Sequence, residues 1–252
     1  MIRVSVAGIT GWTGGPVAEA VRAAENLELV SGASRSGAGD GVVFASVAEA
    51  LDAVPADVLV DFTSAEAVEV NVHAALERGV AVIVGSSGLT AEDYAAIDAR
   101  AREAGVGVIA AGNFSVLAAL LLRSAREAAR HVGAWEVIDY ASAGKPDVPS
   151  GTARELAEAL GEVREPEGGV PLPELHGPVE ARGATVGGTQ INSVRLPSFV
   201  VSTEVVFAAP GERLVIRHDP GESPDPYVAG TLLAIRAVRD RVGLTRGLDS
   251  LL

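Results

Sequence analysis

The stretch IRVSVAGITGWTGG, residues 2–15, decides how this chain folds. Apolar and polar side chains alternate over its first five residues, which predicts a β-strand. Three glycines follow at three-residue spacing, Gly8, Gly11 and Gly14, and residues 17–24 then have the pattern of a helix. Glycines allow a tight turn and a close approach to a pyrophosphate, whose charge the helix start favours. The stretch therefore predicts a dinucleotide site, with a purely structural turn as the alternative.

The second predicted strand, residues 27–32, leads into Ser34 and Arg35. A site that prefers NAD usually has a carboxylate here for the ribose 2′-hydroxyl, whereas an arginine can hold a 2′-phosphate. We therefore expect NADPH as the cofactor, with NADH as the alternative. An ordinary polar loop is the non-functional explanation.

Three further strands are predicted at residues 58–62, 80–84 and 107–111, and they end in small or polar residues. Ligands bind beyond the carboxyl ends of the strands in an open parallel sheet. The residues expected on the nicotinamide side of the cofactor are Asp61, Thr63, Gly85, Ser86 and Ser87.

From Trp135 a strand, a loop with Lys145 and a helix are predicted, and the strands that follow, residues 189–195, 199–209 and 212–219, no longer alternate with helices. Such a run implies a second, more antiparallel domain, and residues 166–188 are expected to form a long irregular loop. The predicted fold class is α/β, a Rossmann-like doubly wound parallel sheet plus an α+β domain with a mostly antiparallel sheet. A final helix is expected over about residues 225–242, and we assign residues 1–112 and 223–252 to dinucleotide binding. Residues 113–222 are assigned to substrate binding and oligomerisation.

Residues 140–153, YASAGKPDVPSGTA, contain Lys145, the single lysine among 20 basic side chains. An ammonium can shift its pKa and pass a proton, whereas a guanidinium stays charged at any working pH. Ser150 then begins a helical pattern, and helix starts bind anions. These residues are candidates for catalysis and anion binding. The alternative is a solvated loop lysine beside an ordinary helix cap.

Composition narrows the classes of protein further. The net charge of −13 argues against a nucleic-acid-binding surface. The absence of cysteine excludes a disulfide framework and a thiolate nucleophile, and the four histidines match no metal-ligand spacing. No targeting signal and no run of about 18 apolar residues occurs. We expect a cytoplasmic protein with no bound metal and no membrane partner.

Several motifs together resemble the dihydrodipicolinate reductases, which reduce a cyclic imine dicarboxylate with a nicotinamide cofactor. The order and spacing of these motifs agree over nearly the whole chain: GITGWTG at residues 8–14, DFT at 61–63, GSSG at 85–88, GNFSV at 112–116, KPDVPSGTA at 145–153, INSVR at 191–195 and FAAPGERLVIRH at 207–218. The lysine, the PSGTA turn and the late GER segment are the most specific of them.

The resemblance implies an NAD(P)H-dependent reductase of lysine and diaminopimelate pathway chemistry, and a homotetramer built through the substrate-domain sheets. It implies that Gly151 and Thr152 hold a substrate carboxylate, that Ser150 and Ser142 also belong to the substrate site, and that Lys145 holds or protonates the substrate. Asn113 and Phe114 would lie at a hinge near the nicotinamide. The residues implied for the cofactor are Gly8, Thr10, Gly11, Trp12, Thr13, Gly14, Ser34, Arg35, Phe62, Thr63, Gly85, Ser86, Ser87, Gly112, Asn113 and Phe114.

One departure bears on the chemistry. The family carries two histidines four and three positions before the lysine, and this chain has Ala141 and Ser142 there. Lys145, Tyr140 or a water held by Ser142 would then have to supply the proton. Two alternatives therefore stay open, a paralogous reductase of a less charged cyclic imine and a catalytically idle cofactor-binding protein.

Overall fold

The structure is a computed structural model that describes residues 1–167 and 169–252. Its strands, numbered along the chain, are β1 Ile2–Ala7, β2 Leu27–Ala33, β3 Val43–Phe44, β4 Val58–Asp61, β5 Ala81–Val84, β6 Gly107–Ala110, β7 Ala134–Ala141, β8 Ala184–Val186, β9 Thr189–Arg195, β10 Val201–Ala209, β11 Glu212–His218 and β12 Gly243–Arg246. Its α-helices are α1 Gly14–Ala23, α2 Val47–Ala53, α3 Val68–Leu76, α4 Ala91–Ala104, α5 Val116–His131, α6 Gly151–Gly161 and α7 Asp225–Val238.

The described chain divides into two compact units. The first unit comprises Met1–Val116 and Pro224–Leu252, and the second comprises Leu117–Ser223. Among the described helices, none combines the length and the apolar character that a membrane crossing requires.

The first unit is built on a parallel sheet with the strand order β12-β6-β5-β4-β1-β2-β3. Strands β4, β5 and β6 are short, buried along their whole length and apolar apart from Asp61 at the end of β4, as expected for a parallel sheet covered on both faces. The chain proceeds in one direction from β1 to β3 and in the other from β4 to β6. The neighbours β1 and β4 thus form the switch point where such sheets bind ligands. The predicted doubly wound parallel sheet is confirmed.

The C-terminal end of this unit differs from the sequence prediction. A helix was expected over about 225–242, but α7 ends at Val238 and the chain adds the edge strand β12 beside β6. Gly243, the first residue of β12, has a φ of 84°, and Asp98 in α4 accepts a hydrogen bond from the backbone of Leu244 at 2.7 Å. Tertiary pairing therefore ends the helix earlier than the local apolar pattern indicates.

The second unit is built on a mixed sheet with the order β11-β10-β7-β9-β8, in which only the β7–β9 pair is parallel among the described strands. Side chains alternate strictly along β7 between buried and half-buried, so one face is covered. Val137, Val205 and Phe207 on that face pack with Leu156 and Leu160 of α6. The predicted second, mostly antiparallel sheet is confirmed.

The long irregular loop predicted at residues 166–188 contains more structure than expected. Two single-turn helices, Leu172–Glu174 and Val179–Arg182, precede β8, which pairs with β9. Gly168 lies outside the described residues.

Candidate active site

The glycine turn after β1 has the tight geometry that its sequence predicts. Gly8 has a φ of 77°, and a Cβ atom placed on it would overlap the backbone carbonyl of Phe62. A Cβ on Gly14 would overlap the carbonyl of Gly8, and the amide of Gly11 donates to that same carbonyl at 2.8 Å. Helix α1 begins at Gly14, and no side chain caps its start. The turn thus presents backbone amides at a helix N-terminus, which suits a pyrophosphate.

The other residues predicted on this turn lie at its surface. Thr10 and Trp12 are exposed and Thr13 is half-buried. The indole of Trp12 is 53% exposed and contacts the ring of Tyr227 edge-on, with 5.9 Å between the ring centres. Trp12 is therefore held in place by α7 while most of its surface stays accessible.

The loop after β2 is organised around Ser34. The Ser34 hydroxyl donates to the carbonyl of Ala38 at 2.8 Å and lies 3.3 Å from the Ser36 hydroxyl. Arg35 beside it is exposed. The pKa of Glu66 is lowered, chiefly by a hydrogen bond from Ser64 and to a smaller extent by the nearby charge of Arg35. The guanidinium therefore lies at the surface with a carboxylate as its neighbour.

The loops after β4 and β5 are joined through Asp61. Its carboxylate accepts from the amide and hydroxyl of Thr63 at 3.1 and 2.7 Å, from Asn71 at 2.8 Å and from Ser86 at 2.5 Å. The expectation that Asp61 faces the ligand is wrong, because its side chain is fully buried and lies beneath these loops. Thr63 and Ser86 are half-buried and Ser87 is exposed.

The aromatic residues at this edge pack against glycine. A Cβ on Gly85 would overlap the ring of Phe62, and that ring contacts Phe114 edge-on with centres 5.7 Å apart. Beyond β6, Gly112 is exposed, and the buried side chain of Asn113 accepts a hydrogen bond from the amide of Ser115 at 2.8 Å. The structure therefore brings the predicted cofactor residues that follow β1, β4, β5 and β6 together at the carboxyl ends of these strands.

The centre of the second unit's site is Asp139, which sequence reasoning missed. Its buried carboxylate accepts from the Ser150 amide and hydroxyl at 2.9 and 2.6 Å, from Ser193 at 3.0 Å and from Arg195 at 2.8 Å. Burial alone would raise the pKa of Asp139. The hydrogen bonds from Ser150, Arg195 and Ser193 outweigh that effect and hold its pKa below the ordinary value. Asp139 is therefore a buried anion that fastens β9 and the loop of residues 142–150 to β7.

Asp139 and its hydrogen-bond partners form an anchor for residues 149–152, the PSGT corner. Ser150 is buried and caps α6 by accepting from the amide of Ala153 at 3.3 Å. Gly151 and Thr152, in the first turn of α6, are half-buried and lie at the surface. Ser150 thus supports the corner from beneath, while Gly151 and Thr152 form its surface.

Lys145 lies in a turn that its backbone amide closes by donating to the carbonyl of Ser142 at 3.0 Å. Its ammonium pairs with Asp147 at 3.0 Å, and both side chains are about one third exposed, 27% and 32%. Arg195 donates to the backbone carbonyl of Asp147 at 2.8 Å. Neither Asp147 nor Arg195 was singled out from the sequence.

Two other positions bear on proton transfer. Ala141 is fully buried in β7 and Ser142 is half-buried beyond it. The ring of Tyr140 stacks on Phe199 and lies under the guanidinium of Arg217 at 4.7 Å. Since side chains alternate along a strand, Tyr140 is on the face of β7 opposite Asp139. Within residues 1–167 and 169–252 no group of acidic or histidine side chains is arranged to hold a metal ion.

Comparison with known proteins agrees with this architecture. Residues 2–114 match the family model described as "Dihydrodipicolinate reductase, N-terminus", and residues 117–252 match "Dihydrodipicolinate reductase, C-terminus". The chain is 39% identical to a 4-hydroxy-tetrahydrodipicolinate reductase of Beutenbergia cavernae, over 100% of this chain and 98% of the relative. It is 37% identical to the Cutibacterium acnes protein of the same name, over 100% and 99%.

Solved structures give the same picture. A dipicolinate-bound dihydrodipicolinate reductase from Paenisporosarcina sp. TG-14 superposes with a TM-score of 0.79 and 30% identity, and the whole of both chains is covered. GenD2 from gentamicin A biosynthesis, in complex with NAD, shares the fold with a TM-score of 0.65 at 18% identity, over 99% of this chain and 90% of that one.

Proposed function

Because this chain belongs to the dihydrodipicolinate reductase family, we propose that it reduces 4-hydroxy-tetrahydrodipicolinate or a close cyclic imine carboxylate. Members of the family are NAD(P)H-dependent oxidoreductases, and this chain is one of them. The observation that carries the proposal is the whole-length match to reductases of that name, combined with a lysine in the loop that leads into a helix start on the second unit. The first unit would bind the dinucleotide, and the second would bind the substrate.

Different residues would bind the coenzyme, bind the substrate and deliver the proton. When it is bound, reduced nicotinamide would supply a hydride to the cyclic imine. The amides of the glycine turn would hold the pyrophosphate, and Gly85 and Phe62 would shape the nicotinamide end of the site. Gly151 and Thr152 would hold a substrate carboxylate, and Lys145 would bind the substrate and deliver the proton that balances the hydride. Correct positioning of the reactants can contribute about 7–11 kcal/mol to lowering the barrier.

NADPH is the proposed coenzyme. The exposed guanidinium of Arg35 at the end of β2 supports this choice, since it can bind a 2′-phosphate. The charge of Arg35 contributes to the lowered pKa of Glu66, so the two side chains are close. A carboxylate at this place disfavours the binding of a second anion such as the 2′-phosphate. We therefore expect NADPH to be preferred and NADH to be used.

The assay for this function follows the loss of absorbance of reduced nicotinamide with each coenzyme. The substrates are 4-hydroxy-tetrahydrodipicolinate and a cyclic imine that carries one carboxylate. Turnover of the dicarboxylate is the expected result. Faster turnover of the monocarboxylate would favour the paralogous imine reductase, which the absence of histidine at Ala141 and Ser142 supports. Coenzyme binding without turnover of either substrate would favour the idle protein.

Lys145 is the proposed proton donor, and Tyr140 is the weaker candidate because it lies on the other face of β7. Lys145→Ala is expected to lower kcat by about 100-fold, the usual contribution of a general acid. Lys145→Arg keeps the positive charge but cannot release a proton at working pH, so it should restore substrate affinity and leave kcat low. A Lys145→Arg variant with the wild-type kcat would show that only the charge is needed.

We further propose that the protein works in the cytoplasm as a homotetramer joined through the second unit's sheet. The support is the face of that sheet opposite α6, where Val206 and Ile138 are half-buried and Val215 is 52% exposed. Apolar groups on an open sheet face favour association. Light scattering should give a tetramer, and Val215→Glu should dissociate it.

A further inference from the structure

The ammonium of Lys145 already has a partner in the described structure. Its Nζ atom lies 3.0 Å from Oδ1 of Asp147, two residues further along the chain. A partly exposed ion pair of this kind is weak, because water competes with both charges. It can therefore exchange one partner for another when a second anion arrives.

The position of Asp147 is nevertheless fixed. Arg195 donates one hydrogen bond to the Asp147 carbonyl oxygen at 2.8 Å and another to the Asp139 carboxylate, also at 2.8 Å. The guanidinium is only 15% exposed and the Asp139 side chain is fully buried. The backbone of Asp147 is thus attached to a buried ion pair, which keeps its carboxylate close to Lys145.

The charges in this corner cancel in pairs. Lys145 faces Asp147, and Arg195 faces Asp139. A ligand carboxylate therefore meets the partial positive charge of the α6 start and a lysine that is already neutralised. A corner that simply collected positive charge for a dicarboxylate would have no reason to hold Asp147 in this place.

We infer that Asp147 is a built-in counter-ion that competes with the substrate carboxylate for Lys145 and thereby limits how strongly the site favours doubly charged substrates. This inference rests on the proposed function and deepens it by assigning a specificity-determining residue. When a carboxylate binds, it takes the place of Asp147 at the ammonium. The side chain of Asp147 then faces the solvent. The site therefore binds anions less tightly than its lysine and helix start would allow.

Calorimetric titration with dipicolinate tests the inference. Asp147→Asn removes the charge and keeps both the side-chain shape and the carbonyl that Arg195 binds. We expect it to bind dipicolinate roughly three- to fivefold more tightly than the wild type, the range that an exposed ion pair contributes. The matched control is Glu162→Gln, which removes one negative charge, the partner of Arg126 at 3.1 Å, from the opposite end of α6. This control should bind as the wild type does.

Unchanged or weaker binding by Asp147→Asn would overturn the inference, as would equal tightening in both variants. If the wild type bound dipicolinate normally in that case, the proposed function would stand. A wild type that binds no dipicolinate and turns over no substrate would overturn both.

A second measurement needs no variant. Lys145 is the only lysine in the chain, so labelling with ¹³C-lysine gives one side-chain Cε signal for the protein. Saturation with dipicolinate should shift that signal as the carboxylate replaces Asp147. A signal that stays in place at saturation would show that the ammonium keeps its partner, and the inference would be wrong.

Discussion

Asp61 in the first unit and Asp139 in the second have equivalent structural roles. Each is fully buried near the carboxyl end of a strand, and each accepts hydrogen bonds from the loops proposed to hold a ligand. Their donors differ in charge. Asp61 is surrounded by neutral donors from Thr63, Asn71 and Ser86, whereas Asp139 also pairs with the guanidinium of Arg195.

The difference relates to how each loop is shaped. In the first unit the turns are fixed mainly by close backbone contacts at glycine, and the carboxylate joins two of them. In the second unit the loop between β7 and α6, residues 142–150, is long, and Arg195 bonds its Asp147 carbonyl. Ser150 bonds the buried carboxylate directly, and the guanidinium adds a charged second connection between Asp139 and the Asp147 carbonyl.

The largest effect is expected from a variant that breaks the charged anchor around Asp139. Asp139→Asn leaves the guanidinium of Arg195 beside a neutral amide in a buried place, and removing one partner of a buried pair costs about 3–5 kcal/mol. Asp61→Asn presents an amide NH₂ to neutral donors, which costs about 1–3 kcal/mol. Urea denaturation should therefore show a larger loss of unfolding free energy for Asp139→Asn. Equal losses would mean that the charge of Arg195 adds nothing to the anchor.

The next largest effect is expected from a variant that disturbs the close backbone contacts at glycine in the first unit. Gly14→Ala places a methyl group against the Gly8 carbonyl, so the turn must open, and we expect the Kd for NADPH to rise by about tenfold with a loss of about 1–3 kcal/mol in stability. Gly15→Ala is the matched control, because its Cβ would be 3.5 Å from the nearest atom, the Ile9 carbonyl oxygen. Fluorescence titration with NADPH gives both constants. Similar weakening by both variants would contradict a role for the close contact at Gly14.

The fold was predictable where the signal is local. Alternation in β1 and β7, the glycine spacing and the apolar runs of β4 and β5 each indicate their structure within a few residues. The strand β12 was not predictable, because it depends on pairing with β6, far away in the sequence, and on a hydrogen bond from Leu244 to Asp98. The short, polar pattern of residues 243–246 carries no strong strand signal of its own.

The candidate site shows the same limit. Lys145, Gly151 and Thr152 stand in one recognisable stretch, so the sequence alone points to them. The anchor beneath them joins Asp139 to Ser193 and Arg195, which are 54 and 56 residues further along the chain. Nothing in the spacing of these residues indicates that they meet. Only the parallel pairing of β7 with β9, which places Asp139 beside Ser193, brings them together.

The smallest expected effect concerns pH and sharpens the account of Asp139. Its pKa in the folded protein is below the ordinary value of 3.8, so the folded state takes up a proton less readily than the unfolded chain. The stabilisation that its ionised form provides is therefore complete above about pH 4 and is lost as the pH falls through the lowered pKa. The difference in unfolding free energy between the wild type and Asp139→Asn should stay constant from pH 7 to 5 and shrink below 4. Since many carboxylates titrate in this range, the comparison with Asp139→Asn isolates the contribution of this one. A difference that stayed constant down to pH 3 would mean that Arg195, Ser150 and Ser193 do not stabilise the anion over the acid.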